Sequence, residues 1–388
     1  MATAWSGGHS APVLCVQAAG GGEGLLASGA ERGEVAVWSQ DGTPIARLRL
    51  PGDEDVTCTA FCPAAPGLLY TSHGEVVSVL DPRSLKEPVE SLSGVGEDEI
   101  NTLSFNDTGT MMATGDDSGA VRIVEIQSGK VVRTLRRHTN ICSSVAFRPQ
   151  RPQSLVSAGL DMQVLLWNLQ KTRPVWAVGL QEEAGPVESE GRSQLFNPAL
   201  AHCVGVSACG DVMACAAEDG QLHLMRVGAG SRLVHRGAIK AHSQGASQAH
   251  FLPFLSHPYW LVSGGNDGVV ALWDLSAQGL PPQDESGHGS RRRTRGKGKA
   301  RARHPQPTAP PAGAEGEVRD SGAREAVCEG SCEGVCEPSE PAVKTGPALR
   351  FTHTQKLNWV CPALLQGRPS ILVADGSASV CVYALPAL

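Results

Sequence analysis

A short frame returns along this chain and constrains its fold more than any other feature. Ser28-Gly29-Ala30-Glu31-Arg32-Gly33-Glu34-Val35-Ala36-Val37-Trp38 superposes residue by residue on Ser263-Gly264-Gly265-Asn266-Asp267-Gly268-Val269-Val270-Ala271-Leu272-Trp273. Each has small residues, a polar turn with Gly, then a run rich in Val that ends in Trp. Ser157-Ala158-Gly159-Leu160-Asp161 through Leu166-Trp167-Asn168 fits the same frame, and weaker copies put Leu80, Val124, Met225 and Tyr383 in place of the Trp. The seven frame ends fall at 38, 80, 124, 167, 225, 273 and 383, with spacings of 42, 44, 43, 58, 48 and 110. A period of roughly 40–45 residues is that of a four-stranded propeller blade. Upstream of the frames, alternating apolar residues end in Phe, often with a nearby Pro: Phe61-Cys62-Pro63, Phe147-Arg148-Pro149, Phe251-Leu252-Pro253, and Phe105 without one. Such ends read as buried strands stopped by a residue that cannot donate to the ladder. The expected fold is all-β, a seven-bladed propeller.

Composition agrees with many short strands and tight turns: 45 Gly and only 4% aromatic residues in 388. No stretch approaches the ~18 consecutive apolar residues of a membrane span, and Met1–Gly8 lacks an apolar signal core. The expectation is a soluble chain made in the cytosol, with no membrane partner. Of 12 Cys, nine are scattered without paired spacing, and Cys15, Cys142, Cys215 and Cys381 lie in apolar runs. They read as reduced, structural thiols rather than a disulfide framework.

These frames resemble the WD40-repeat family across nearly everything outside 276–345. In that family a His before the first strand, a Ser or Thr on the second, an Asp in the next turn and the frame-end Trp share a hydrogen-bond network. The resemblance places it at His138, Ser157, Asp161 and Trp167, and again at His242, Ser263, Asp267 and Trp273. The first blade keeps His9, Ser28 and Trp38 but has Arg32 where the Asp belongs; the others have mostly lost the set. A buried imidazole and a buried indole N–H must each find a partner, so breaking one link should cost about 1–3 kcal/mol. The alternative, metal-ligating histidines, is disfavoured because their spacing repeats with the blade and no second ligand lies near.

Closure of the ring follows from counting. Val380-Cys381-Val382-Tyr383 reads as a third strand with five residues left over, and its open edge needs a partner. Thr3-Ala4-Trp5-Ser6 has the length of the missing outer strand, so the N-terminus is expected to close the ring. The propeller is thus assigned 1–275 and 346–388, with blade seven after a disordered insertion at 276–345 and a surface loop at 180–194.

The insertion contains Arg291–Arg303, eight positive charges in 13 residues, followed by Pro-rich and acidic stretches. The basic run reads either as a nuclear-localisation or nucleic-acid patch or as a solvated tail. Outside 276–345 the chain holds 22 basic against 29 acidic residues, so a nucleic-acid contact would have to rest on that run. Cys328, Cys332 and Cys336 could bind a soft metal, but a duplicated low-complexity unit is the simpler reading.

No phosphate loop, nucleophile elbow or metal-spaced His pair is found, and the pairs Asp116-Asp117 and Asp53-Glu54-Asp55 are assigned to turns. The chain is therefore expected to be a binding protein without catalysis, cofactor, metal or small-molecule substrate. One motif is sharper. WD40 substrate receptors of cullin-4 ubiquitin ligases often carry Trp-Asp-x-Arg after a third strand. Here Leu80-Asp81-Pro82-Arg83 keeps Asp81 and Arg83, whereas Trp167-Asn168-Leu169-Gln170 and Trp273-Asp274-Leu275-Ser276 lack the basic residue. The resemblance implies an adaptor-binding box at Asp81 and Arg83; the bland reading is that Asp81-Pro82 only starts a turn. Two roles compete: a ligase substrate receptor, or a nuclear scaffold for chromatin proteins. Cytoplasm and nucleus are the expected locations.

Overall fold

The computed structural model describes residues 2–20, 24–181, 197–276 and 346–386. They form seven antiparallel sheets of four strands each. The innermost strands of blades one to seven are Val13–Ala18, Val56–Cys62, Ile100–Phe105, Cys142–Phe147, Ala201–Val206, Ala246–Phe251 and Leu357–Leu365. Each packs beside the next, and the seventh packs against the first, so the ring closes. No helix among the described residues is long and apolar enough to cross a membrane.

Closure uses the strand foreseen for it. Ala2–Trp5 pairs antiparallel with Val380–Ala384 as the outermost strand of blade seven, Trp5 opposite Val380. Trp5 is buried, and its ring lies 6.1 Å from that of Trp38 in blade one.

Burial follows the architecture. Seven apolar clusters each straddle one pair of neighbouring sheets; Val156, Leu166, Met213 and Met225, for example, fill the space between blades four and five. Leu80, Val124 and Met225 fill the place of the missing Trp at essentially zero exposure. A strand packed by a sheet on each side reads as a continuous apolar run, which is why the frame ends are legible. Cys15, Cys142 and Cys215 are buried free thiols, and burial raises each above its ordinary pKa.

One regularity has no sequence forecast. Every inner strand carries a bulge after its first paired residue, skipping Leu14, Thr57, Asn101, Ser143, His202, Ser247 or Asn358. A bulge re-aims the extra side chain. In four blades it reaches the carbonyl that opens the next blade: Thr57 to Ile100, Ser143 to Ala201 (2.5 Å), Ser247 to Leu357 (2.9 Å) and Asn358 to Val13 (2.9 Å). Neighbouring blades are thus tied by polar links as well as apolar packing.

Two assignments need correction. The interruption at 276–345 does precede the last inner strand, but it does not separate two blades. Leu349–Thr352 pairs with Val269–Asp274 as the outer strand of blade six, so the break falls inside that sheet. Asp116 is not a turn residue. It ends the second strand of blade three, is fully buried, and forms an ion pair with Arg122. Of the loop assigned to 180–194, only Leu180 and Gln181 are described, and Leu180 is buried.

Candidate partner-binding surface

Alternating strand direction sorts the turns onto two faces. Turns after strands one and three lie on one face; turns after strands two and four lie on the other. The His–Ser–Asp–Trp residues gather at the second. His138 stands before the inner strand of blade four and Asp161 in its second turn. His138 Nδ1 lies 2.9 Å from Asp161, His138 Nε2 lies 2.8 Å from Ser157 Oγ, and Trp167 Nε1 donates to Ser157 Oγ at 2.8 Å. A carboxylate can only accept, so Nδ1 carries the proton; Nε2 then accepts from the Ser hydroxyl, which accepts from the indole. Blade six repeats the chain at 3.0 Å for His242–Asp267, 2.9 Å for His242–Ser263 and 3.0 Å for Trp273–Ser263. Both imidazole nitrogens are committed in each set, which leaves neither histidine a lone pair for a metal.

The electrostatics agree with a structural role. Burial pulls the His242 pKa below its ordinary value against the pull of Asp267. Burial would raise Asp161 and Asp267, yet both are held below the usual carboxylate range, Asp161 first by His138 and Asp267 first by the Ser243 backbone N–H and then by His242.

The remaining blades solve the same problem with other residues. In blade one His9 Nε2 bonds Ser28 at 2.5 Å and Trp38 donates to Ser28 at 2.7 Å, while His9 Nδ1 stays buried with no hydrogen-bond partner, 3.6 Å from Glu34. Blade three replaces the set with the Asp116–Arg122 pair, and Glu97 stands 3.1 Å from Arg122. Blade seven keeps more than its sequence suggests: His353 bonds Asp375 at 2.5 Å and the Tyr383 hydroxyl at 2.8 Å. The spacing of His353 from its inner strand matches that of His242, but the carboxylate comes from the end of the second strand instead of the turn.

The Asp81–Arg83 segment lies on the opposite face, after the third strand of blade two, Val76–Leu80. Asp81 Oδ1 accepts the Arg83 N–H at 2.9 Å, closing a tight turn. The same turn recurs where Gln170 N–H meets Asn168 (2.9 Å) and where Ser276 N–H meets Asp274 (2.9 Å). Aspartate and asparagine are chosen here for one physical reason, a side-chain oxygen that caps the backbone two residues on. What differs is the capped residue: Arg83, Gln170 or Ser276. Arg83 is exposed, and its guanidinium lies across Gly67, where a Cβ would come within 3.8 Å.

Arg291–Arg303 and Cys328, Cys332 and Cys336 lie outside the described residues. Among the described residues, no group of three His, Cys, Asp or Glu side chains is placed to hold a metal.

Comparison with known proteins agrees with this geometry. Residues 74–150 match a family described as anaphase-promoting complex subunit 4 WD40 domain, and residues 234–274 match WD domain, G-beta repeat. The second match starts in the outer strand of blade five and ends with the third strand of blade six, so the sequence repeat runs one strand ahead of the blade. A WD repeat-containing protein 53 homolog from Dictyostelium discoideum is 24% identical over 69% of this chain and 77% of its own length. Nuclear distribution protein PAC1 of Komagataella phaffii is 21% identical over 61% of this chain and 52% of its own, and a Dictyostelium discoideum WD repeat-containing protein 91 homolog is 30% identical over 37% and 20%. The chain thus spans about half of the second relative and a fifth of the third. Seven four-stranded blades, the His–Ser–Asp–Trp links and both family matches lead to one statement: the chain is a seven-bladed propeller that carries WD40 repeats at 74–150 and 234–274, an architecture that serves protein–protein interaction.

Proposed function

We propose that the propeller is a substrate receptor that binds the adaptor of cullin-4 RING ubiquitin ligases through the face carrying Arg83. The observation that carries this reading is the difference among three equivalent turns: only in blade two does the capped position hold a guanidinium. The turn itself is common framework; the arginine is the specific element. A planar guanidinium keeps its donor geometry when partly desolvated, and arginine is enriched among interface hot spots. Leu80 fills the buried place of the family's Trp, and the Asp81-capped turn follows it as the equivalent turns follow Trp167 and Trp273. In this reading the protein acts in cytoplasm and nucleus, and deleting 291–303 should shift a fluorescent fusion toward the cytoplasm.

Co-purification of tagged wild type against an Asp81→Ala/Arg83→Ala variant, with matched thermal melts, tests the proposal. The adaptor should accompany wild type and be lost from the variant. Equal recovery, or absence from both, would leave Asp81 as a turn cap and make the nuclear-scaffold role the better account.

A further inference from the structure

A cleft of about 720 Å³ opens on the Arg83 face between blades four and five, away from blade two. Its walls come from both inner-strand exits and both third-strand exits. Arg148, Arg151, Lys171 and Arg226 line it, with Asp211 as the one carboxylate in the lining. Arg148 is buried and committed: Nε donates to Gly210 O at 2.7 Å, Nη1 to Ser154 Oγ at 3.2 Å and Nη2 to Asp211 at 2.6 Å. Arg151 also reaches Asp211, at 3.1 Å. One carboxylate therefore serves two guanidinium groups, and Lys171 stands exposed at the rim. Arg148, Arg151 and Lys171 against Asp211 make this cleft positive on a propeller whose own balance is negative. Burial, together with the charge of Arg151, pulls the Arg148 pKa below its ordinary value.

A second, independent feature adjoins it. Val175 lines the cleft, and the next residue, Trp176, is 37% exposed although most large apolar side chains here are buried. The Arg232 guanidinium lies 5.1 Å from the centre of its ring. An exposed Trp with one arginine over its ring, beside a concave surface, has the composition of a protein-binding hot spot.

We propose that this cleft docks an extended acidic segment of a partner protein, with carboxylates meeting Arg151 and Lys171 and an apolar side chain packing on Trp176. A peptide fits better than nucleic acid, because the positive surface is confined to one inter-blade cleft while phosphate chains need a long basic track. The inference is independent of the adaptor-binding reading.

The test is fluorescence anisotropy of the full chain with a fluorescein-labelled (Glu-Glu-Leu)4 peptide. Wild type should bind with an affinity that falls as salt rises. Arg151→Gln/Lys171→Glu should weaken binding about tenfold or more, and Trp176→Ala about threefold. Asp81→Ala/Arg83→Ala should leave it unchanged, which separates this site from the adaptor face. If the double variant melts early, exposed Lys171→Glu alone should still weaken binding about threefold. Undiminished binding by both charge variants would place the contact on Arg291–Arg303 and overturn the proposal. So would displacement of the peptide by an oligo-dT 12-mer as effectively as by unlabelled peptide, or no binding by wild type.

Discussion

Blades three and four sit side by side and are held by opposite chemistry. In blade four a hydrogen-bond relay runs from the Asp161 carboxylate through His138 and Ser157 to Trp167, each group donating or accepting where its lone pairs allow. In blade three the same region is locked by the Asp116–Arg122 ion pair, with Val124 filling the space of the indole. Both blades tie the loop before the inner strand to the middle strands with different residues, in blade three because the Glu97 backbone N–H also donates to Asp116 at 3.0 Å. The difference lies in how each tie fails. A relay loses one hydrogen bond at a time, whereas a buried ion pair that loses one partner leaves an uncompensated charge.

The largest expected effect follows from that distinction. Asp116→Ala should destabilise the propeller by about 3–5 kcal/mol in urea unfolding, while Asp116→Leu/Arg122→Met should recover most of it. If single and double variants were equally unstable, the ion pair would not be the tie. Acid should come next, and at blade one rather than blade four. Burial holds His9 at a pKa of about 4, although nearby Glu34 pulls it upward. The unfolded chain, with an ordinary histidine near 6.5, therefore takes the proton first. Stability should be full above about pH 6.5 and should decline by roughly 2–3 kcal/mol as pH falls toward 4. His9→Gln should remove that share of the slope and leave the share of His250, which burial also holds at about 4, when melts are recorded across the range.

Smaller effects sharpen the relay side. Ser157→Ala strips both His138 and Trp167 of a partner and should cost about 1–3 kcal/mol, read from the urea midpoint. Asn358→Ala removes a link between blades seven and one and should cost about 1 kcal/mol by the same measurement. Arg83→Ala, on an exposed turn, should change stability by no more than about 0.5 kcal/mol. A larger loss there would make Arg83 a structural residue.

Much of this was legible because propeller strands are packed on both sides. Continuous apolar runs, Phe-ended inner strands and the Trp frame ends each report burial directly, and an unpaired last strand pointed to Thr3–Ser6, one residue from the observed Ala2–Trp5. The ties in blades three and seven escaped because their partners are not in the family's places. Asp116-Asp117 has turn composition, and only the ion pair shows Asp116 meeting Arg122, whose register partner is Thr114; Asp375 precedes the turn where the family's Asp stands. The bulge links left a fainter signal. Thr57, Ser143, Ser247 and Asn358 are polar residues in the second position of otherwise buried strands, a break in alternation that one sequence does not distinguish from noise. The outer strand of blade six was hidden by distance, since about 75 residues separate Leu349–Thr352 from the strand it pairs with.

Whether the common turn of blade two presents a functional arginine is tested most directly with purified components. Affinity of the propeller for the cullin-4 adaptor should be measured for wild type, Arg83→Ala and Asp81→Asn by titration calorimetry. Arg83→Ala should weaken binding at least about tenfold with an unchanged melting temperature. Asp81→Asn, which keeps the capping oxygen found naturally at Asn168, should bind like wild type. Equal affinity for wild type and Arg83→Ala would contradict the claim and return Asp81-Pro82-Arg83 to the status of an ordinary turn.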